Sequence, residues 1–118
     1  MKLPNAENAV IDIEKLRGYC LSPTHPKGKH KARLFRKKLC MEIGDAEILR
    51  QPIQKAIFIA EATERKPTAH GRIFRVDFMA GRGKGIIWYE AKIRSGWVIR
   101  NDEDFPHLTT CFNPNKSR

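Results

Sequence analysis

Ile73-Phe74-Arg75-Val76-Asp77-Phe78 is the stretch on which the fold turns. Phe74, Val76 and Phe78 fall on one face of an extended chain, and Ile73, Arg75 and Asp77 on the other. A period of two belongs to a strand buried on one side. Upstream of Gly71 the period is helical instead. Asp12 can cap a first helix, in which Ile13, Leu16 and Cys20 recur at i, i+3, i+7; Gly18 weakens it and Ser22-Pro23-Thr24-His25-Pro26 ends it. A second helix is predicted from Gly28 to Cys40, with Ala32, Phe35 and Leu39 as a narrow apolar seam and a broad basic face opposite. A third starts at Asp45 as N-cap and carries Ile48, Leu49, Ile53, Ala56, Ile57 and Ala60, with a kink or restart at Pro52. Thr63 to Gly71 is polar, contains Pro67 and reads as a loop.

Downstream, Gly81-Arg82-Gly83-Lys84-Gly85 is a hairpin loop by composition. Ile86 to Ile99 is too long for one flat strand, and a bend or bulge is expected near Ser95-Gly96. Ile93, Ser95, Trp97 and Ile99 alternate with Lys92, Arg94, Gly96, Val98 and Arg100, giving one buried and one basic face. Trp97 reads as a core anchor, whereas Trp88 and Tyr89 point to opposite faces, leaving one of them exposed to stack. Asp102-Glu103-Asp104 is an acidic turn, Leu108 to Phe112 a last short strand, and Asn113 to Arg118 a frayed tail. Helices followed by an antiparallel sheet define an α+β domain. The 118 residues read as one such domain, helical over about 10–62 and sheet over about 71–112.

The charge narrows the function. The net charge is +10, and residues 25–38 hold seven of the 23 Lys and Arg, two of the four His and no acid. Such a field attracts polyanions, with RNA the expected partner and an acidic cognate inhibitor or antitoxin protein the alternative. No long apolar run suggests a membrane, and the N-terminus lacks the apolar core of a signal peptide, so a cytoplasmic location is expected. Three cysteines without C-x-x-C spacing argue against a disulfide scaffold, and Cys20, His25, His30 and Cys40 fit no common zinc spacing. No cofactor or metal is expected, and no GxSxG, HExxH, P-loop or dinucleotide-binding motif is present.

Four ordered segments carry a resemblance: Met1-Lys2-Leu3-Pro4-Asn5 with Asp12-Ile13-x-Lys15-Leu16-Arg17-x-Tyr19-Cys20-Leu21, then His25-Pro26-Lys27-Gly28-Lys29-His30-Lys31-Ala32-Arg33, then Arg94-Ser95-Gly96-Trp97-Val98-Ile99, then Phe105-Pro106-His107-Leu108-Thr109-Thr110-Cys111-Phe112. They resemble a small bacterial family catalogued as a domain of unknown function. The chain departs from that pattern at Pro52, Gly96 and Phe112, where the family has a helix former, Ala and Tyr, and the Ile86-Ile87-Trp88-Tyr89 run lengthens the sheet. More widely, helices before a small antiparallel sheet, with Lys and His on an early helix and Thr on the last strand, resemble the barnase–EndoU–colicin–RelE group of RNase toxins. That resemblance implies metal-independent RNA cleavage.

Cleavage through the 2′-hydroxyl needs a base, cations for the transition-state charge, and an acid for the departing oxygen. The expected catalytic set is His30 for proton transfer, Lys29 and Arg94 on the phosphate, and Thr110 orienting it. Lys27, Lys31, Arg33, Arg36, Lys37, Lys92 and Arg100 are the expected nucleic-acid contacts. The second helix and the basic sheet face would then have to converge on one groove. A non-catalytic nucleic-acid-binding module is the alternative, as is an interaction domain whose basic face holds an acidic protein. His25 fits a structural role, fixing its turn and capping the second helix.

Overall fold

A computed structural model of the chain describes residues 1–114. Three helices are followed by four strands: α1 (Ile13–Lys15), which continues as a wider turn over Leu16–Cys20, α2 (Lys29–Leu39), α3 (Ala46–Ile59), then β1 (Ala62–Thr68), β2 (Gly71–Lys84), β3 (Ile87–Arg100) and β4 (Pro106–Phe112). The strands form one antiparallel sheet in the order β1-β2-β3-β4, and the helices pack on one face of it. The domain is α+β, with helices N-terminal and sheet C-terminal.

The apolar patterns explain the packing. Phe35 and Leu39 of α2, Leu49, Ile53 and Ile57 of α3, and Leu16 and Cys20 meet Phe74, Val76, Ile93 and Trp97 from the sheet. Trp97 is fully buried, and its indole N–H donates to Ser95 Oγ at 2.9 Å; Ser95 in turn donates to the Val76 carbonyl at 2.8 Å. Ser95 and Val76 are register partners, so this short polar chain spans β2 and β3 inside the core. Asp12 caps α1 as expected, accepting from Glu14 N at 2.9 Å. After it, Leu21 N reaches back five residues to the Leu16 carbonyl, at 2.8 Å. That π-type turn keeps Leu16, Cys20 and Leu21 all buried.

Several local expectations need correction. The segment 63–71 is mostly β1, not a loop. It reads as polar because only Ala62 is buried and the rest overhangs as an exposed edge strand. Pro67 sits where the register with β2 shifts, between Arg65 and Thr68, so its missing N–H breaks no ladder bond. Likewise 81–84 continues β2, and the hairpin turn is the pair Gly85-Ile86 between the partners Lys84 and Ile87. Gly85 has φ 63, which a two-residue turn requires of its first residue. β3 is uninterrupted, and the irregularity expected near Gly96 lies in its partner: Gly96 faces Thr110 and Trp97 faces Leu108, leaving Thr109 as the extra residue of β4. α3 runs through Pro52, where the lost bond would have gone to Ile48, an exposed residue. Asp45 does not cap α3 with its side chain; it accepts from Glu42 N at 2.8 Å and is gripped by Arg82. In the expected tail, Asn113 is buried and donates to the Lys92 carbonyl at 2.7 Å, while 115–118 lie outside the described residues.

One glycine fixes how α2 meets the turn before it. A Cβ on Gly28 would lie 2.2 Å from the Tyr19 carbonyl oxygen, whereas one on Gly18 would meet nothing within 4 Å. Gly28→Ala should therefore cost about 1–3 kcal/mol through overpacking. Gly18→Ala should stabilise by about 0.5–1 kcal/mol by lowering the entropy of the unfolded helix turn. Urea unfolding of the two variants checks this difference in sign.

Candidate functional site

The connection from α1 to α2 is held by its own polar groups. Ser22 Oγ accepts from His25 N at 3.2 Å, and His25 Nδ1 accepts from both Lys27 N and Gly28 N at 3.0 Å. With two N–H donors on Nδ1, the ring proton resides on Nε2. The His25 carbonyl also takes the first helical N–H, that of Lys29, at 2.9 Å. The imidazole and the Tyr19 ring meet in a T-shaped contact, with centroids 4.9 Å apart and planes at 87°. His25 thus fixes the turn before α2 and braces Tyr19, as expected of the turn, but its side chain does not cap the helix; its backbone carbonyl takes the first helical N–H instead.

This brace sets Tyr19 against Lys31 on the first turns of α2. Lys31 Nζ donates to Tyr19 Oη and to Thr110 Oγ1, each at 3.2 Å, and lies 4.6 Å from the Phe112 ring centroid and 5.3 Å from that of Tyr19. Lys31, Tyr19, Thr110 and Phe112 are all half-buried. Among the described residues no carboxylate stands within ion-pair distance of this ammonium. Two hydroxyls and two π faces hold it instead, so an incoming anion finds a positioned cation with no counter-ion to displace. Beneath it are two thiols. Burial pushes Cys20 up to about 11, against the opposing pull of the Cys111 backbone N–H and of Lys31 and Lys15. Burial raises Cys111 well above its usual value, and Cys20 adds to that. Neither thiol is a nucleophile at neutral pH.

Lys31 stands where the helical layer meets the sheet's edge strand, and more cations continue over the sheet's uncovered face. Register pairs Arg94 with both Asp77 and Phe112, and Arg75 with both Thr63 and Gly96. Arg65, Arg75, Lys92 and Arg94 thereby share the face opposite the core, with Arg100 farther along β3. Asp77 takes a two-pronged hydrogen bond from Arg94, 3.0 Å on each prong, and lies 3.6 Å from Lys92. Burial pushes the Asp77 carboxyl up, but the Arg94 hydrogen bond and the charges of Arg94, Lys92 and Arg75 together hold it below its usual 3.8. Arg75 is held below the usual guanidinium range by burial first, then by Arg94 and Arg65. One carboxylate is shared among several cations here.

The profile of the family described as Domain of unknown function (DUF6883) matches residues 2–115. The chain belongs to this family. Comparison with curated proteins and with solved structures gave no match.

In this DUF6883 chain the residues expected to form one catalytic set are separated. His30 and Lys29 lie on exposed faces of α2, where with Arg33, Arg36 and Glu42 they line a cleft of about 320 Å³ floored by Leu21, Ala32 and Met41. Arg94 lies on the far side of the sheet, paired with Asp77. The expected convergence of His30 and Arg94 on one groove is therefore corrected. α2 packs its seam on the Ile93 face of β3, and Arg94, one residue on, must point the other way. Thr110 does sit in a polar centre, but with Lys31, which had been expected only to bind. Lys27 and Lys37 are exposed on the helix side, Lys92 and Arg100 on the sheet side. His107 is engaged by Glu103 at 2.9 Å. The sequence reading missed Tyr19, Arg65 and Arg75. Alternation already placed Arg75 opposite the core, Arg65 was hidden in a segment taken for a loop, and nothing local marked Tyr19.

Because Asp77 titrates below its unfolded value, its contribution to stability is complete above about 4 and is lost as pH falls through the folded value. Acid titration of stability should therefore show a shallower loss below pH 4 in Asp77→Asn than in the parent, while Asp45 and Glu64, also lowered, maintain a residual slope. Urea midpoints between pH 2.5 and 6 measure it.

Proposed function

We propose that this domain binds RNA through its phosphodiester backbone at the Lys31 centre and cleaves it there without a metal. The observation that carries the reading is the half-buried Lys31 ammonium, held by Tyr19 and Thr110 hydroxyls with no carboxylate beside it. A net charge of +10 supplies long-range attraction for a polyanion. In the proposed reaction the 2′-oxygen attacks phosphorus, its proton leaves to solvent, and the P–O5′ bond breaks to give a 2′,3′-cyclic phosphate and a 5′-hydroxyl. Lys31 and Thr110 hold the phosphoryl oxygens as charge builds on them. Tyr19 accepts from Lys31, so its own hydroxyl hydrogen is free to pass to the departing 5′-oxygen. The resemblance to RNase toxins supports the same chemistry as a fold analogy. An acidic protein covering this edge and the adjoining sheet face would act as the cognate inhibitor.

One observation favours the alternative, a module that binds RNA without cutting it. Among the described residues no free imidazole reaches Lys31, because His25 Nδ1 is occupied by two backbone N–H groups and His30 lies on the solvent side of α2. The experiment compares parent, Lys31→Met, Tyr19→Phe and His30→Ala on single-stranded RNA in EDTA, measuring binding and product ends separately. Lys31→Met should weaken binding and reduce the salt slope by about 0.7, one phosphate contact on a single strand. Tyr19→Phe should bind like the parent and cleave on the order of 10²–10⁴ more slowly, and His30→Ala should leave the rate unchanged. Binding without any product selects the module; absence of binding removes both readings.

A further inference from the structure

Trp88 is 65% exposed although it lies within a long strand. Its indole lies over two glycines of the neighbouring strand: a Cβ on Gly81 would come within 2.2 Å of Cζ2, and one on Gly83 within 3.6 Å of Cε3. Gly83 is its direct register partner and Gly81 faces Glu90, two residues farther on. Glycine inside a strand weakens it and marks a place where something must approach the backbone closely. Here that is the indole, so one face of Trp88 is supported by bare backbone while the ring remains largely open to solvent. Met79, 61% exposed, lies on the same face. Positions 88, 90, 92, 94 and 96 of β3 all project from the side opposite the core. From Trp88 the face therefore runs past Lys92 and Arg94 to Gly96, whose missing side chain leaves room for Thr110, the partner of Lys31. The span from Trp88 to Gly96 is about 26 Å at the usual strand rise.

The charge on this face favours one kind of occupant. Arg65, Arg75, Lys92, Arg94 and Arg100 stand against Asp77, Glu90 and Glu103, the last paired with Arg100 at 3.6 Å, which still leaves an excess of cations beside a supported aromatic ring. Cations beside an open aromatic ring suit a strand of nucleic acid whose bases are unpaired, since a duplex hides its base faces. We infer that the uncovered sheet face is the track for single-stranded RNA, with a base stacked on Trp88 and the backbone running over Lys92 and Arg94 toward the Lys31 centre. This rests on the RNA reading proposed above and extends it by naming the form of RNA and its path.

The test uses the whole chain and a labelled 12-nucleotide oligouridylate, beside a duplex of equal phosphate number. Binding is followed by anisotropy and by tryptophan fluorescence. Trp97 is fully buried, so stacking changes only the Trp88 signal. The single strand should quench that emission and bind more tightly than the duplex. Trp88→Ala should lower its affinity by roughly 5- to 150-fold, the range for removal of one stacked base, with circular dichroism like that of the parent. If the parent binds the single strand, Lys31→Met weakens it and Trp88→Ala does not, the track is overturned while the RNA reading stands. Equal affinity for duplex and single strand without quenching overturns the track as well. If the parent binds neither RNA, the RNA reading itself fails and the track with it.

Discussion

A buried indole whose N–H lacks a partner is costly, and the sheet is organised around avoiding that cost. Trp97 donates to Ser95, and Ser95 to the Val76 carbonyl across the ladder, so the largest core side chain is tied to one register of β2 against β3. A slip of β3 by one residue would turn Trp97 out to solvent and Arg94 into the core. Hydrogen bonding, side-chain volume and charge all select the same pairing. The sheet therefore has two unlike faces, one closed by helices and one left cationic.

That division creates the edge where Lys31 stands. α2 covers the inner face with Ala32, Phe35 and Leu39, and Lys31, flanking this seam, reaches β4. Its position depends on backbone contact more than on charge. Gly28 admits the Tyr19 carbonyl, His25 closes the turn with its ring nitrogen, and Tyr19 is thereby braced beside the ammonium. Several arginines elsewhere are held by carboxylates instead. Arg82 grips Asp45, Arg72 grips Glu64 and Arg94 grips Asp77. The Lys31 ammonium differs from these in being half-buried and held by two hydroxyls and two aromatic rings.

Much of the architecture was legible locally. The seams of α1, α2 and α3 and the alternation of β2 and β3 each recorded which side is buried, because apolar residues pay for exposure wherever they are exposed. Failures fell where burial does not write a pattern. β1 overhangs the core and so shows no alternation, and Gly81 and Gly83 read as turn residues when they make room for Trp88 within a strand. Thr109 bulges from β4 although Gly96 of β3 was the residue that looked irregular.

The sequence by itself determined the α+β order, most of the buried set and the strongly basic charge, since these follow from composition and period along the chain; Ile48, expected in the apolar stripe of α3, is exposed, and Val98, expected on the basic face, is buried. It also separated the two faces of β3. The tertiary structure alone decided which cations meet. His30 and Arg94 each occupy a basic surface, yet the sheet lies between them, whereas Tyr19 and Thr110, 91 residues apart in the chain, both come to 3.2 Å from the Lys31 ammonium. Periodicity specifies the direction of a side chain relative to its own element. Which side chains share a centre depends on how elements cross, and that is set by the close approach at Gly28 and the bulge in β4, neither of which has a local signal.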